Sequence, residues 1–316
     1  MKLINFPERI VESDYDALVN KIANQMSKDQ NVVSLYQMGS VKNPGISDLD
    51  IICVFKDGSS NFENFRNTLN TKEKKILTHG LFGVYESDFK EACRSNYISN
   101  LKLIYGKEFE LSKFEPIPQE YKTQIALEYL LKLHITIQAQ SKFGVFKLRS
   151  FLLLAKAVIF DLELMGIESG ELYNSVKKVI YIRDTWFENQ PSKENLIKLI
   201  NEFKINLKDF LDQQLSLNKL YLSQSNFILP GKIKLEQASN FQLKSSGIFL
   251  PRFLSFLGDF YIKLQFRLVN LTFYVPYHLI NNDVIMEKYK FAKSLSNTNS
   301  KNFPYFVSLN SSLTTV

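Results

Sequence analysis

The stretch QMGSVKNPGISDLDIICVF, residues 37–55, sets Gly39-Ser40 after one apolar run and two aspartates, Asp48 and Asp50, at the mouth of another. A carboxylate is costly to bury unless hydrogen bonds or a cation compensate it. The acids therefore either cap a solvated turn or hold a cation. Two residues apart at the start of a strand, they project from the same face. That arrangement suits a hard, oxygen-seeking ion such as Mg²⁺, or Mn²⁺, which keeps a substrate's phosphates among its ligands. A glycine followed by a serine at the end of the neighbouring strand lets backbone amides and a hydroxyl approach a phosphate.

Outward from this stretch, the residues predict a small α/β unit. Ser13 caps a helix whose apolar positions Tyr15, Leu18, Val19, Ile22, Ala23 and Met26 follow helical spacing. Strands are expected over 32–38 and 49–55, with a turn at Asn43-Pro44-Gly45 between them. A helix around Phe62, Phe65 and Leu69 and a strand over 81–85 complete the unit.

After Pro116 and Pro118 the pattern turns helical for about a hundred residues. Tyr129, Leu130, Leu133 and Ile137 mark one helix, and residues 146–160 are apolar nearly all round, as in the central helix of a bundle. Further helices are expected over 169–187 and 192–217, broken at Gln190-Pro191. Arg149 and Lys156 interrupt the apolar run of 146–160, which is far short of the ~20 residues a membrane span requires. Seven residues apart, they share a helix face and are candidates to contact a triphosphate; cations with buried stems are the plainer reading. Lys42, in the loop, is a third candidate cation.

Net charge separates the last third. Residues 216–316 hold 11 Lys/Arg against 4 Asp/Glu, which accounts for the whole formal charge of +7, together with 11 Phe and 6 Tyr. Short strands between proline-marked turns are expected over 229–251. Residues 252–275 read as one helix with Asp259, Lys263 and Arg267 as its polar stripe, and 294–302 as a loose polar segment. The division expected is α+β: an α/β domain over 1–115, a helical bundle over 116–220, and a basic, aromatic-rich region over 221–316. Two distant cysteines, Cys53 and Cys93, exclude a zinc-ligand spacing, and with no signal-like apolar segment at the start, a cytoplasmic protein is the expectation. His79, His134 and His278 stand isolated and suggest no catalytic set.

The run MGSVKNPGISDLDI resembles the signature of the DNA polymerase β-type nucleotidyltransferase superfamily: a strand, Gly-Ser, a loop, then Asp-x-Asp on a second strand. LKLIYGKEFE (101–110) is similar to a Tyr-Gly stretch that often closes this domain in small bacterial members. The resemblance spans about residues 10–115. It implies transfer of a nucleoside monophosphate from a nucleoside triphosphate such as ATP to an acceptor, with release of pyrophosphate. Gly39 and Ser40 would then contact the β,γ-phosphates, and Asp48 and Asp50 would hold the metals. Two departures stand out: a loop of only seven residues between Ser40 and Asp48, and no carboxylate in mid-strand to serve as third ligand and general base. Glu86 is the expected substitute, with Asp88 the alternative; Asp88 also fits the first turn of a following helix.

The acceptor is not readable. A basic, aromatic third fits nucleic acid, a lipid-linked or phosphorylated glycan, or a homo-oligomer interface, but the absence of a long continuous basic run favours a small-molecule or glycan acceptor. The competing expectation is a non-catalytic nucleotide-binding or regulatory protein on the same fold, such as a toxin–antitoxin component. The position of Glu86 relative to Asp48 and Asp50 discriminates the two.

Overall fold

Residues 37–55 form the far end of one strand, a plugged turn and the whole of the next strand in the computed structural model. The structure describes residues 1–60, 62–98, 100–111, 117–223, 226–229 (as backbone) and 232–310. Pro116 and the turn pair Pro230-Gly231 lie outside them.

The first unit comprises β1 (Lys2–Ile4), α1 (Glu12–Met26), β2 (Val32–Met38), β3 (Asp50–Phe55), α2 (Thr71–Ile76), β4 (Phe82–Tyr85), α3 (Glu86–Ser95) and β5 (Leu101–Gly106). Strand β3 is buried on both faces, which is why it reads as an unbroken apolar run. Ile51, Cys53 and Phe55 share a core with Tyr15, Leu18 and Ile22 of α1. Ile52 and Val54 face Phe89, Ala92 and Cys93 of α3. Both cysteines are free and buried, and burial pushes the Cys93 thiol up to about 12. Asp14, not Ser13, caps α1: its carboxylate accepts from the Val11 amide at 3.1 Å. The helix expected around Phe62–Leu69 is reduced to a 3₁₀ turn, Phe65–Thr68, followed by α2. Asn64 and Asn70 each accept from a following backbone amide and so start two short helices instead of one.

The bundle comprises α4 (Gln119–Phe143), the short β6 (Val145–Lys147), α5 (Leu148–Leu164), α6 (Glu171–Asp184) and α7 (Lys193–Leu217). Leu152, Ala155, Val158 and Leu162 of α5 are wholly buried among them. Strand β6 pairs in parallel with β1, tying the chain's start to the bundle.

The last third departs furthest from expectation. It contains β7 (Tyr221–Leu222), β8 (Asn226–Leu229), β9 (Ile233–Gln237), β10 (Gln242–Gly247), α8 (Asp259–Leu268), β11 (Val269–Val275), β12 (His278–Leu279), α9 (Asp283–Asn302) and β13 (Val307–Ser308). The stretch 252–275 is not one helix. It is a 3₁₀ turn, then α8, then β11, an inner strand of the order β10-β11-β9-β8. The buried positions Val269, Leu271, Phe273 and Val275 alternate, and that period of two overrides helical continuation. Residues 294–302 are the end of α9, not a loose segment. Asn299 donates from Nδ2 to the Gly83 carbonyl at 2.9 Å, a tertiary anchor its polar neighbours do not announce.

Nor does 221–316 form a unit of its own. Strand β13 pairs with β4 at the edge of a five-stranded sheet of order β13-β4-β3-β2-β5, and Phe303 and Phe306 pack into the first unit's core. Residues of β9 and β11 belong instead to the bundle's core. The fold is α+β, and the last third divides between the two preceding units. No helix among the described residues is long and apolar enough to cross a membrane.

Candidate nucleotide and metal site

Antiparallel β2 and β3 pair Met38 with Asp50, so Gly39-Ser40 and the two aspartates meet at one end of the sheet. Gly39 has φ +71°, a left-handed conformation that favours glycine, while a Cβ there would meet nothing within 4 Å. Its glycine is thus explained by backbone conformation, and its amide donates to the Asn100 carbonyl at 2.9 Å. Ser40 is exposed beside it.

The seven-residue loop is a plug, not a flap. Tyr15 donates its hydroxyl to the Ser47 carbonyl at 2.7 Å and accepts from the Gly45 amide at 3.0 Å. Gly45 has φ +87°, and a Cβ there would lie 2.0 Å from the Glu8 carbonyl oxygen. Ile46 is fully buried in the bundle's core. Arg149 clamps the loop from α5: Nε donates to the Ile46 carbonyl at 3.1 Å, Nη2 to that of Ser47 at 2.9 Å and Nη1 to that of Lys75 at 2.7 Å. Each guanidinium nitrogen donates to a backbone carbonyl, so Arg149 positions the loop carrying Asp48.

Asp48 accepts from the Thr78 hydroxyl at 3.1 Å. Burial, and then the neighbouring charge of Asp50, push its carboxyl above the ordinary range. Asp50 meets His79 Nε2 at 2.7 Å, while His79 Nδ1 lies 2.6 Å from the Gly80 carbonyl. Burial disfavours the charged imidazole, but the Asp50 bond and the Gly80 carbonyl outweigh it and the pKa is raised. Both ring nitrogens face acceptors, so the doubly protonated ring satisfies both. Asp48, Asp50 and His79 offer ligand atoms all within 4.8 Å of one another. Among the described residues, the pair's sole ion-pair partner is this histidine. Two carboxylates held together without a lysine or arginine form a donor set that a divalent cation fits.

Glu86 is not part of this cluster. Strands β3 and β4 run parallel with Phe55 opposite Tyr85, so Glu86 follows the opposite end of the sheet, beyond a strand length of about 17 Å. There it begins α3 and pairs with Lys107 at 2.5 Å. Asp88 lies in the same first turn. The third member at the aspartate end is His79, which sequence reasoning set aside. The signal was positional: a residue just ahead of a strand running parallel to the Asp-x-Asp strand arrives at the same sheet end.

Lys156, one of the expected cations, lies within electrostatic reach of Lys42, another, and of Arg183. Burial, with the charges of Arg183 and Lys42 added, pulls the Lys156 ammonium below its usual value. Lys156 also lies over the Phe160 ring, 4.2 Å from its centroid. Arg183, unanticipated from sequence, is buried and reaches Ser47 Oγ with Nη2 at 3.4 Å, while its Nε and Nη1 find no hydrogen-bond partner among the described residues. Orphaned guanidinium donors beside mutually repelling lysines are what an anion would satisfy. A cavity of about 720 Å³ opens beside Gly39, lined by Tyr129, Ala157, Phe160 and Asp161 from α4 and α5. Burial pushes the Asp161 carboxyl well above the ordinary range, and Tyr129 is within electrostatic reach of both Asp161 and Asp48.

No protein-family model and no curated protein matches the chain. Among solved structures, a spectinomycin adenyltransferase from Enterococcus faecialis, determined with ATP and spectinomycin, is similar at a TM-score of 0.36 and 14% identity, covering 62% of this chain and 99% of that one. So distant a likeness decides nothing about this chain's chemistry, which rests on the geometry above.

Proposed function

We propose that the protein is a metal-dependent nucleotidyltransferase that moves a nucleoside monophosphate from a nucleoside triphosphate to a small-molecule or glycan acceptor, releasing pyrophosphate. The observation that carries this reading is the meeting of Asp48 and Asp50 with Gly39-Ser40 at one sheet end, beside the buried Arg183, two of whose guanidinium nitrogens have no hydrogen-bond partner among the described residues. Asp48 and Asp50 would hold Mg²⁺ or Mn²⁺, with His79 either a third ligand or the counter-cation of Asp50; a nitrogen in the donor set suits Mn²⁺ better than Mg²⁺. Bound there, the ion supplies Lewis-acid polarisation of the phosphoryl oxygens. The chain's own residues do the rest. Ser40, Lys42, Lys156 and Arg183 neutralise and orient the triphosphate; Arg149 and Tyr15 hold the loop so that Asp48 and Asp50 stay aligned. The cavity beside Gly39 lies within the ~300–1,000 Å³ typical of small-ligand sites, and Asp161 offers an acceptor hydroxyl or amine a hydrogen-bond partner.

One observation favours a second reading, nucleotide binding without turnover: the third group beside the aspartates is a histidine already bonded to Asp50, while Glu86 follows the other end of the sheet. Incubation with each nucleoside triphosphate and Mg²⁺ or Mn²⁺, following binding and pyrophosphate release, separates the two. Release from one nucleotide that disappears in Asp48→Asn and Asp50→Asn supports transfer. Metal-dependent binding with no release across a panel of amine and polyol acceptors supports the second reading, and absence of binding overturns both.

A further inference from the structure

The segment 248–268 leaves unusually large side chains in water. Phe253, Phe256 and Phe260 are 73%, 68% and 56% exposed, and Ile248 is 68% exposed beside them. These residues sit on the loop before the 3₁₀ turn Arg252–Leu257, on that turn, and on the first turn of α8. Tyr261, Ile262 and Gln265 point the other way and are buried. Phe260, Lys263 and Arg267 are spaced three and four apart, so the aromatic tip and two cations share one exposed helix face.

Charge is equally one-sided. The segment carries Arg252, Lys263 and Arg267 against a single acid, Asp259, and that acid is neutralised by Lys147 at 3.0 Å. Among the described residues none of the three cations takes part in an ion pair. Its exposed aromatics are all phenylalanines, with no polar tip to recognise a hydrogen-bonding partner. A second copy docked on this face by a twofold axis would set one cationic patch against another. An anionic surface with an apolar layer beneath it meets both the charge and the phenylalanines.

We infer that residues 248–268 form an interfacial docking face for anionic phospholipid membranes. The three phenylalanines enter the headgroup–acyl boundary while Arg252, Lys263 and Arg267 lie at the level of the lipid phosphates. The inference is independent of the proposed chemistry, because none of these residues belongs to the aspartate site.

Co-sedimentation of the full chain with vesicles of phosphatidylcholine alone, or with about a third phosphatidylglycerol, tests it. Binding is expected to the anionic vesicles and at least about ten-fold weaker to the neutral ones. Lys263→Glu/Arg267→Glu and Phe253→Ser/Phe256→Ser/Phe260→Ser should each lower it about ten-fold or more, with circular dichroism unchanged. All these side chains are exposed, so a folding failure is not the expected cause of loss. Equal binding to both vesicle types, retention by the phenylalanine variant, or no vesicle binding overturns the inference. So does light scattering that shows a dimer abolished by the same three phenylalanine substitutions, or capture by single-stranded DNA in place of vesicles.

Discussion

Asp48 is held in an environment that opposes its charge, and that conflict makes its role separable from folding. Burial and the Asp50 carboxylate raise its pKa, so at neutral pH its ionised form weakens the folded state. Asp48→Asn should abolish pyrophosphate release while melting at or above the wild-type temperature in a thermal scan. Glu86→Gln gives the opposite contrast: it removes one exposed pair with Lys107, costs at most about 1 kcal/mol, and leaves turnover unchanged. His134 reports on pH. Burial pulls its pKa down to about 4, and its Nδ1 is buried without a hydrogen-bond partner among the described residues. Since the unfolded chain binds the proton first, the stability it contributes is full above about pH 6.5 and is lost as pH falls towards 4, to a total on the order of 3 kcal/mol. Urea titrations at pH 7 and pH 4.5 should show the wild type losing more stability than His134→Leu.

At the level of elements, what the sequence disclosed depended on how local the determinant was. Strands β2 and β3 and their Gly-Ser and Asp-x-Asp ends were legible because an apolar run, a turn signal and the motif are contiguous over residues 32–55. His79 and Arg183 were not: one reaches the site through the parallel register of β4, the other from the end of α6 more than a hundred residues later. Arg149 was visible as a cation on an apolar helix, but only the tertiary structure shows its guanidinium spent on three backbone carbonyls. Its removal is accordingly costly. Arg149→Met takes the charged donor from the Ile46 and Lys75 carbonyls and one of two donors from that of Ser47, and should destabilise by roughly 3–5 kcal/mol by urea denaturation. Nucleotide turnover should fall in parallel, at temperatures where the variant is still folded, because the loop ahead of Asp48 loses its clamp. Residues 269–275 were misread because their flanks continue a helical charge spacing, and the competing alternation became decisive only with β9 and β10 on either side.

Across the whole molecule, the chain interleaves its units. Helix α9 leaves the bundle side, where Lys288 forms a buried pair with Glu128 of α4 at 3.0 Å, and ends by placing Phe303 in the first unit's core. Composition marked residues 216–316 as distinct but carried no sign that they return to the first sheet. Interleaving predicts one cooperative transition. Far-ultraviolet circular dichroism and the fluorescence of the single tryptophan, Trp186, buried in the bundle, should follow the same urea curve. Lys288→Met alone takes the ammonium from a buried carboxylate that keeps a hydrogen bond from Gln124, and should cost about 3–5 kcal/mol, much of it regained when Glu128→Leu is added.

The plugged loop of residues 41–49 has a consequence for how this protein can change over evolutionary time. One short segment carries Asp48, fills the bundle core with Ile46, and is stitched to α1, α2 and α5. Insertions there, or substitutions that retune the nucleotide end, strike folding at once, so that wall is frozen. On the proposed function, diversification of acceptor preference is left to the opposite wall, where Tyr129, Ala157, Phe160 and Asp161 line the cavity on helices that bear no part of the clamp other than Arg149. Natural variants of this chain should therefore drift in those positions while keeping the loop's length fixed.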